Sequence, residues 1–173
     1  MPDLIFDNCV LSNFALTESM AILRSLYERR AYVSDLVLLE NLRGIQKGHD
    51  LLSAIPKGIE EGWMRRVSIR GEKERRTFES LSTSLGAGEA SSIAIARERG
   101  FSFACDDKLA RKEATLSGVL VTGTIGILVK AVEARKLNLD EANRILERML
   151  AIGFYGPVQR IARGMIRPAN RPF

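Results

Sequence analysis

A single histidine, His49, serves a chain of 173 residues. That scarcity excludes a histidine-rich zinc site, and no histidine lies near the acids discussed below to build a Ser/His/Asp triad. His49 stands at the start of a predicted surface helix, where solvent or core packing is its simpler use. Cysteine is nearly as scarce: Cys9 and Cys105 are the whole complement. Two thiols make no disulfide framework, which agrees with a reducing compartment. Both flank acidic residues, and the expectation is buried, inert thiols close to whatever those acids form. No apolar run is long enough to span a bilayer. The best, GVLVTGTIGILVKAV at 118–132, is short and broken by glycine. The opening MPDLIFD has an acid where a signal peptide carries basic residues. The expectation is a cytoplasmic protein without a membrane partner. Linker-like Gly/Ser/Pro stretches, internal repeats and low-complexity segments are also missing.

What remains is an ordinary globular composition, 46% apolar and 27% charged, in a length that suits one domain with a real core. Net charge is +5, a mild pointer to a polyanionic partner. Arg65, Arg66, Arg70, Lys73, Arg75 and Arg76 cluster mid-chain. Arg160, Arg163, Arg167 and Arg171 line the C-terminal tail.

Hydrophobic periodicity predicts a buried strand at LIFD (4–7) and a helix over 20–30. A helix beginning at the N-cap Ser34 runs to the glycine at 48. Another covers 49–62, with a break expected at Pro56. WMRRVSI (63–69) is extended. Helices follow over 72–85 and 88–100, a strand at FSFAC (101–105), a helix over 107–118, a strand at VLVT (119–122), and helices over 124–136 and 138–154, the last capped by Asn138. Alternation of this kind is the pattern of an α/β fold with a central parallel sheet.

In such sheets ligands bind beyond the carboxyl ends of the strands, near the point where strand order reverses. Asp7 ends the first strand. Asp106 and Asp107 follow FSFAC. If those strands are neighbours, the acids converge on one edge. Glu89 opens a helix, where an acid is favoured by the helix dipole, yet it shares a stripe with Ile93 and Ala96. The small residues around it, from Gly86 to Ser92, leave room for a partner. Glu40 sits in an almost all-round apolar helix, and periodicity leaves open whether it points inward or to the rim. Capping explains Asp106 or Asp107 as well as ligation does. Together, however, these carboxylates would repel and their pKa values would rise unless a cation joined them. An oxygen-only site suits Mg²⁺ or Mn²⁺, and such a site suits phosphodiester hydrolysis without a histidine base.

Four stretches, IFDNCVLSNFA, VSDLVLLENLRG, LGAGEASSIAIARERG and CDDKLARKEATLSGVLVTGTIGILVKA, occur in this order. Together they resemble a PIN-domain protein of the stand-alone prokaryotic kind related to VapC-type toxins, over roughly residues 3–156. The resemblance implies a three-layer α/β/α sandwich with a central parallel sheet, and metal-dependent endoribonuclease activity with Mg²⁺ or Mn²⁺. It implies metal ligands at Asp7, Glu40, Glu89 and Asp106, with Asp107 as the alternative fourth acid. The third acid is often aspartate in the family, so Glu89 is one methylene longer. A hydroxyl near the first acid is common there, a role open to Ser12 or Asn8. Thr122 or Thr124 would touch phosphate or cap the next helix. The implied partners are RNA, a small antitoxin protein and a second copy in a homodimer. The predicted organisation is a nuclease domain over 1–156 and a basic C-terminal extension over 157–173. A non-catalytic PIN-like module that binds RNA or protein is the alternative. A phosphoacceptor receiver fits less well, since it expects its acidic pair after the first strand.

Overall fold

The computed structural model describes residues 1–167. Five strands, β1 (Leu4–Phe6), β2 (Ala31–Ser34), β3 (Met64–Val67), β4 (Ser102–Ala104) and β5 (Val121–Thr122), form one sheet in the order β3-β2-β1-β4-β5. Every pairing is parallel. The chain moves from β1 outward through β2 and β3, then returns to β4 on the other side. The order therefore reverses at the β1–β4 boundary, the place where open parallel sheets bind ligands. Leu4 lies opposite Ser102 and Phe6 opposite Ala104, so the residues that leave the two strands, Asp7 and Cys105, stand level with each other.

Nine α-helices cover the two faces among the described residues: α1 (Asn8–Leu16), α2 (Met20–Tyr27), α3 (Asp35–Gln46), α4 (Ala54–Glu60), α5 (Gly71–Leu81), α6 (Ala87–Arg99), α7 (Lys108–Leu116), α8 (Thr124–Glu133) and α9 (Leu139–Ala151). Alternation along β1 explains the layering. Leu4 and Phe6 enter a core with Val10, Phe14, Leu23, Leu128 and Leu146. Ile5 enters the opposite core with Leu85, Ile93, Ile95, Phe103 and Ala114. Successive strand residues face opposite sides, so a strand buried on both faces reads as a continuous apolar run. The result is the expected three-layer α/β/α sandwich.

Three local expectations need correction. The segment AYVS, for which no strand was expected, is strand β2; the helix after it starts as expected at Ser34, whose hydroxyl accepts from the Val37 N–H. The segment after β1 folds as α1, which had no helical signal. Pro56 does not break its helix. It is the third residue of α4, inside the first turn, where a missing N–H costs no intrahelical bond.

The C-terminal chain crosses back over α9. Ile161 is buried, and Asn143 holds both its backbone groups: Ile161 N donates to Asn143 Oδ1 (2.8 Å) and Asn143 Nδ2 donates to Ile161 O (3.1 Å). Arg160, Arg163 and Arg167 are exposed. Arg171 and the rest of 168–173 lie outside the described residues. Among the described residues no helix is long and apolar enough to cross a membrane.

Candidate functional site

Asp7 directly follows β1 and is the N-cap of α1. Its Oδ2 faces the Cys9 N–H at 3.4 Å, a long contact, and accepts from the Cys9 thiol at 2.8 Å. It is only 4% exposed. Burial lifts its carboxyl above the ordinary range, and the hydrogen bonds from Cys9, Asn8 and Cys105 do not offset that.

Two helices bring the glutamates to this point. Helix α3 packs on α6 and extends Glu40 to the first turn of α6, where the Gly88 N–H donates to Glu40 Oε1 at 3.2 Å. Glycine leaves the carboxylate this place, because a Cβ on Gly88 would stand 2.7 Å from that oxygen and push it aside. Glu89 lies one residue further and folds back so that the Gly86 N–H donates to its Oε2 at 3.2 Å. Both glutamates are half-buried. Burial raises the pKa of each, and the negative charge of Asp7 raises it further. Glu89 is also lifted by Asp107 and Glu40, against the opposing Gly86 N–H. Gly88 N–H and Arg43 oppose the shift at Glu40 without reversing it. Three helices and one strand end thus bring Asp7, Glu40, Glu89 and Asp107 into one electrostatic neighbourhood.

The adjacent acids after β4 divide their work. Asp106 turns toward α8. Its Oδ1 accepts from the Thr124 N–H (2.8 Å), and its Oδ2 accepts from the Thr124 hydroxyl (2.6 Å) and Asn13 Nδ2 (3.2 Å). Gly123 must be glycine for this approach, since a Cβ there would meet Asp106 Oδ1 at 2.6 Å. Asp107 is exposed and caps α7, accepting from the Ala110 N–H at 2.9 Å. It is Asp107, not Asp106, whose charge is felt at Glu89.

The supporting polar residues sit differently from expectation. Thr124 is fully buried with its hydroxyl on Asp106. It anchors that acid; its side chain does not cap α8, whose N-cap is Gly123. Thr122 offers its carbonyl to Arg111 and to the Cys105 N–H. Ser12 and Asn8 meet each other on α1, Ser12 Oγ to Asn8 Oδ1 at 3.5 Å. Asn13 is the residue that sequence reasoning missed. It bridges Asp106 and Thr124, and a lone asparagine on a helix carries no signal of such a role. His49 is exposed, at the head of a short 3₁₀ turn.

These side chains suit a hard divalent cation. The acids offer carboxylate oxygens, and among the described residues no salt bridge reaches any of the five; the only group of three donors already within 4.8 Å of one another there is Asp7 with the thiols of Cys9 and Cys105. Acids raised by burial and by each other are what a cation would relieve. Part of the mid-chain basic cluster, by contrast, is already paired within the fold: Arg66 with Asp35, Arg75 and Arg76 with Glu72. No curated protein matches the chain. A family model described as a PIN domain matches residues 3–168, nearly all of it. With a parallel sheet of this order and the acids gathered at its switch point, the chain belongs to the PIN-domain family, a nuclease-type fold.

Proposed function

We infer that this protein is a Mg²⁺- or Mn²⁺-dependent endoribonuclease that hydrolyses RNA phosphodiester bonds at the carboxylate cluster. One observation carries the reading. Asp7 is buried at the switch point of the sheet, Glu40 and Glu89 meet at the first turn of α6 near enough for the charge of Asp7 to raise both, and among the described residues no salt bridge neutralises any of the three. Such an arrangement disfavours the empty, ionised site and favours one holding a divalent cation.

Asp7, Glu40, Glu89 and Asp107 would hold the metal. When bound, such an ion lowers the pKa of a coordinated water and stabilises charge on the departing oxygen. The chain's own residues supply position. Asp7 is fixed at the sheet by its place between β1 and α1. Glu40 is aimed by the Gly88 N–H and Glu89 by the Gly86 N–H. Asp106 acts as a positioning residue: bonded to Thr124 and Asn13, it ties the β4–α7 turn to α8 and α1 and so places Asp107. The net charge of +5 attracts the RNA backbone at long range, so affinity falls as salt rises. In the toxin form of this reading, a homodimer acts in the cytoplasm and a small antitoxin's basic side chains enter the acidic hollow; what supports it is the sequence resemblance.

The test is cleavage of RNA by the full chain with Mg²⁺ or Mn²⁺, with EDTA, and by Asp7→Asn. Cleavage is expected only in the first. Equal cleavage in all three ends the metal-site reading. Tight RNA binding without turnover under either ion would leave the non-catalytic module in its place.

A further inference from the structure

The chain's only two thiols meet beside its most buried acid. Cys105 follows β4 and stands level with Asp7 across the β1–β4 pair; it is fully buried. Cys9 lies in the first turn of α1, half-buried. Cys9 Sγ is 2.8 Å from Asp7 Oδ2, and Cys105 Sγ is 3.8 Å from the same oxygen. One ligand atom from each of the three lies within 4.8 Å of the other two. A tetrahedral ion with bonds of about 2.0 Å to oxygen and about 2.3 Å to sulfur sets its ligand atoms roughly 3.5–3.8 Å apart. The three donors need only small side-chain adjustments to reach that spacing. Hard ions such as Mg²⁺ make no use of sulfur, whereas thiolates select zinc-like ions.

We propose that Asp7, Cys9 and Cys105 form a second metal site, selective for a thiophilic divalent ion of the zinc class, which overlaps the carboxylate site through Asp7. Binding forms two metal–sulfur bonds and one metal–oxygen bond and releases the two thiol protons to solvent, with no change of oxidation state. Water takes the fourth position. Because Asp7 belongs to both sites, filling the thiol site withdraws it from the oxygen site. Zinc is then an inhibitor of the Mg²⁺- or Mn²⁺-supported reaction. That consequence rests on the nuclease reading; the binding itself does not.

The probe is Cd²⁺, whose bond to thiolate absorbs in the ultraviolet. With only two cysteines in the chain, any such band comes from Cys9 or Cys105. Titration of the metal-free full chain should saturate at one Cd²⁺ per chain. Zn²⁺ should displace it and Mg²⁺ should not. Cys9→Ala and Cys105→Ala should each weaken binding by more than the roughly 10–100-fold that loss of a supporting contact costs. Circular dichroism checks that each variant is folded; if Cys105→Ala is not, Cys9→Ala at the half-exposed position decides. Absence of the band overturns the proposal. So does a band that halves in each variant at unchanged affinity, since the thiols would then bind separately. For inhibition, Zn²⁺ is added to the Mn²⁺-supported reaction of each protein and compared with its own uninhibited rate. Wild type should be inhibited at the concentration that displaces Cd²⁺, and Cys9→Ala should resist it. Inhibition that ignores the substitution overturns the overlap. If no protein cleaves RNA, the nuclease reading fails and the Cd²⁺ titration still decides the site.

Discussion

At Gly88 one added methyl group decides where Glu40 can go. An alanine Cβ would lie 2.7 and 2.9 Å from the two Glu40 carboxylate oxygens, so the glutamate must leave. Alanine is also the better helix former by roughly 0.5–1 kcal/mol. Gly88→Ala should therefore keep or gain melting temperature while RNA cleavage falls by about 100-fold, the usual cost of displacing a catalytic group by an ångström or so. Cleavage at the wild-type rate would show that Glu40 does not serve the site. The acids after β4 allow a sharper separation. Asparagine caps a helix as well as aspartate does, so Asp107→Asn keeps the α7 cap and removes the charge; Mn²⁺ affinity should drop with little change in stability. Asp106→Asn instead turns an amide against the Thr124 and Asn13 donors. That substitution should cost about 1–3 kcal/mol of stability with the smaller effect on Mn²⁺ affinity. Calorimetric Mn²⁺ titration and thermal melts of the two variants check the division, and the reverse pattern would make Asp106 the ligand. At this scale much of the candidate site was legible in the sequence, because Asp7 and the aspartate pair each follow a strand, β1 and β4. The sequence could not separate Asp106 from Asp107, because that depends on which way a turn faces, nor reveal Asn13, whose role exists only once α1 meets α8.

Between elements, the clearest fastening joins α5 to α6. Arg99 at the end of α6 donates to both carboxylate oxygens of Glu74, at 2.7 and 3.0 Å, and also to the Ser68 carbonyl. Glu74 in turn accepts from the Arg70 N–H at the start of α5. Burial alone would raise the Glu74 carboxyl, but the hydrogen bonds from Arg99 and Arg70 outweigh it and hold its pKa below the ordinary value of 4.5. The sign follows. A carboxyl depressed on folding adds stability that is present above 4.5 and is lost as pH falls through its lowered value. Breaking a fully buried pair costs about 3–5 kcal/mol; the Arg99 side chain keeps 21% of its surface exposed, so Glu74→Ala should cost less, about 1–3 kcal/mol. At about 2–4 °C per kcal/mol for a chain of this length, a thermal melt resolves the loss, and it should shrink in acid. Element type was legible where segments were long and periodic, as in α9 with its Asn138 cap. It failed at β2 and α1 for one reason. Strand β2 is four residues long and runs without a break into α3, and α1 starts one residue after β1. In each case the apolar run beside a two-residue polar junction, Asp7–Asn8 or Ser34–Asp35, is too short to show its own period, and only pairing with β1, or packing across the sheet, fixes it.

For the molecule as a whole, the candidate site works against the fold. Asp7, Glu40 and Glu89 all bind protons more tightly in the folded chain than their ordinary values of 3.8 and 4.5 imply. Between those values and the raised ones, the folded chain holds protons that the unfolded chain has released. Stability therefore falls as pH rises through this window, the opposite sign to Glu74. The metal-free protein should melt highest in weak acid and lower near neutrality. A divalent cation reverses the slope. It binds the ionised carboxylates of the folded chain alone and adds about 2.7 kcal/mol at 100 times its dissociation constant. Asp7→Asn removes the most buried of the charges without changing the side chain's shape. It should raise the melting temperature of the EDTA-treated protein at neutral pH by a few °C, at about 2–4 °C per kcal/mol, and abolish the gain produced by Mg²⁺. The check is a set of melts from about pH 5 to about pH 8, with EDTA and with Mg²⁺, for both proteins. If Asp7→Asn is the less stable protein in EDTA and responds to Mg²⁺ as wild type does, the buried carboxylate is a structural cap on α1, and the site's cation must be sought elsewhere.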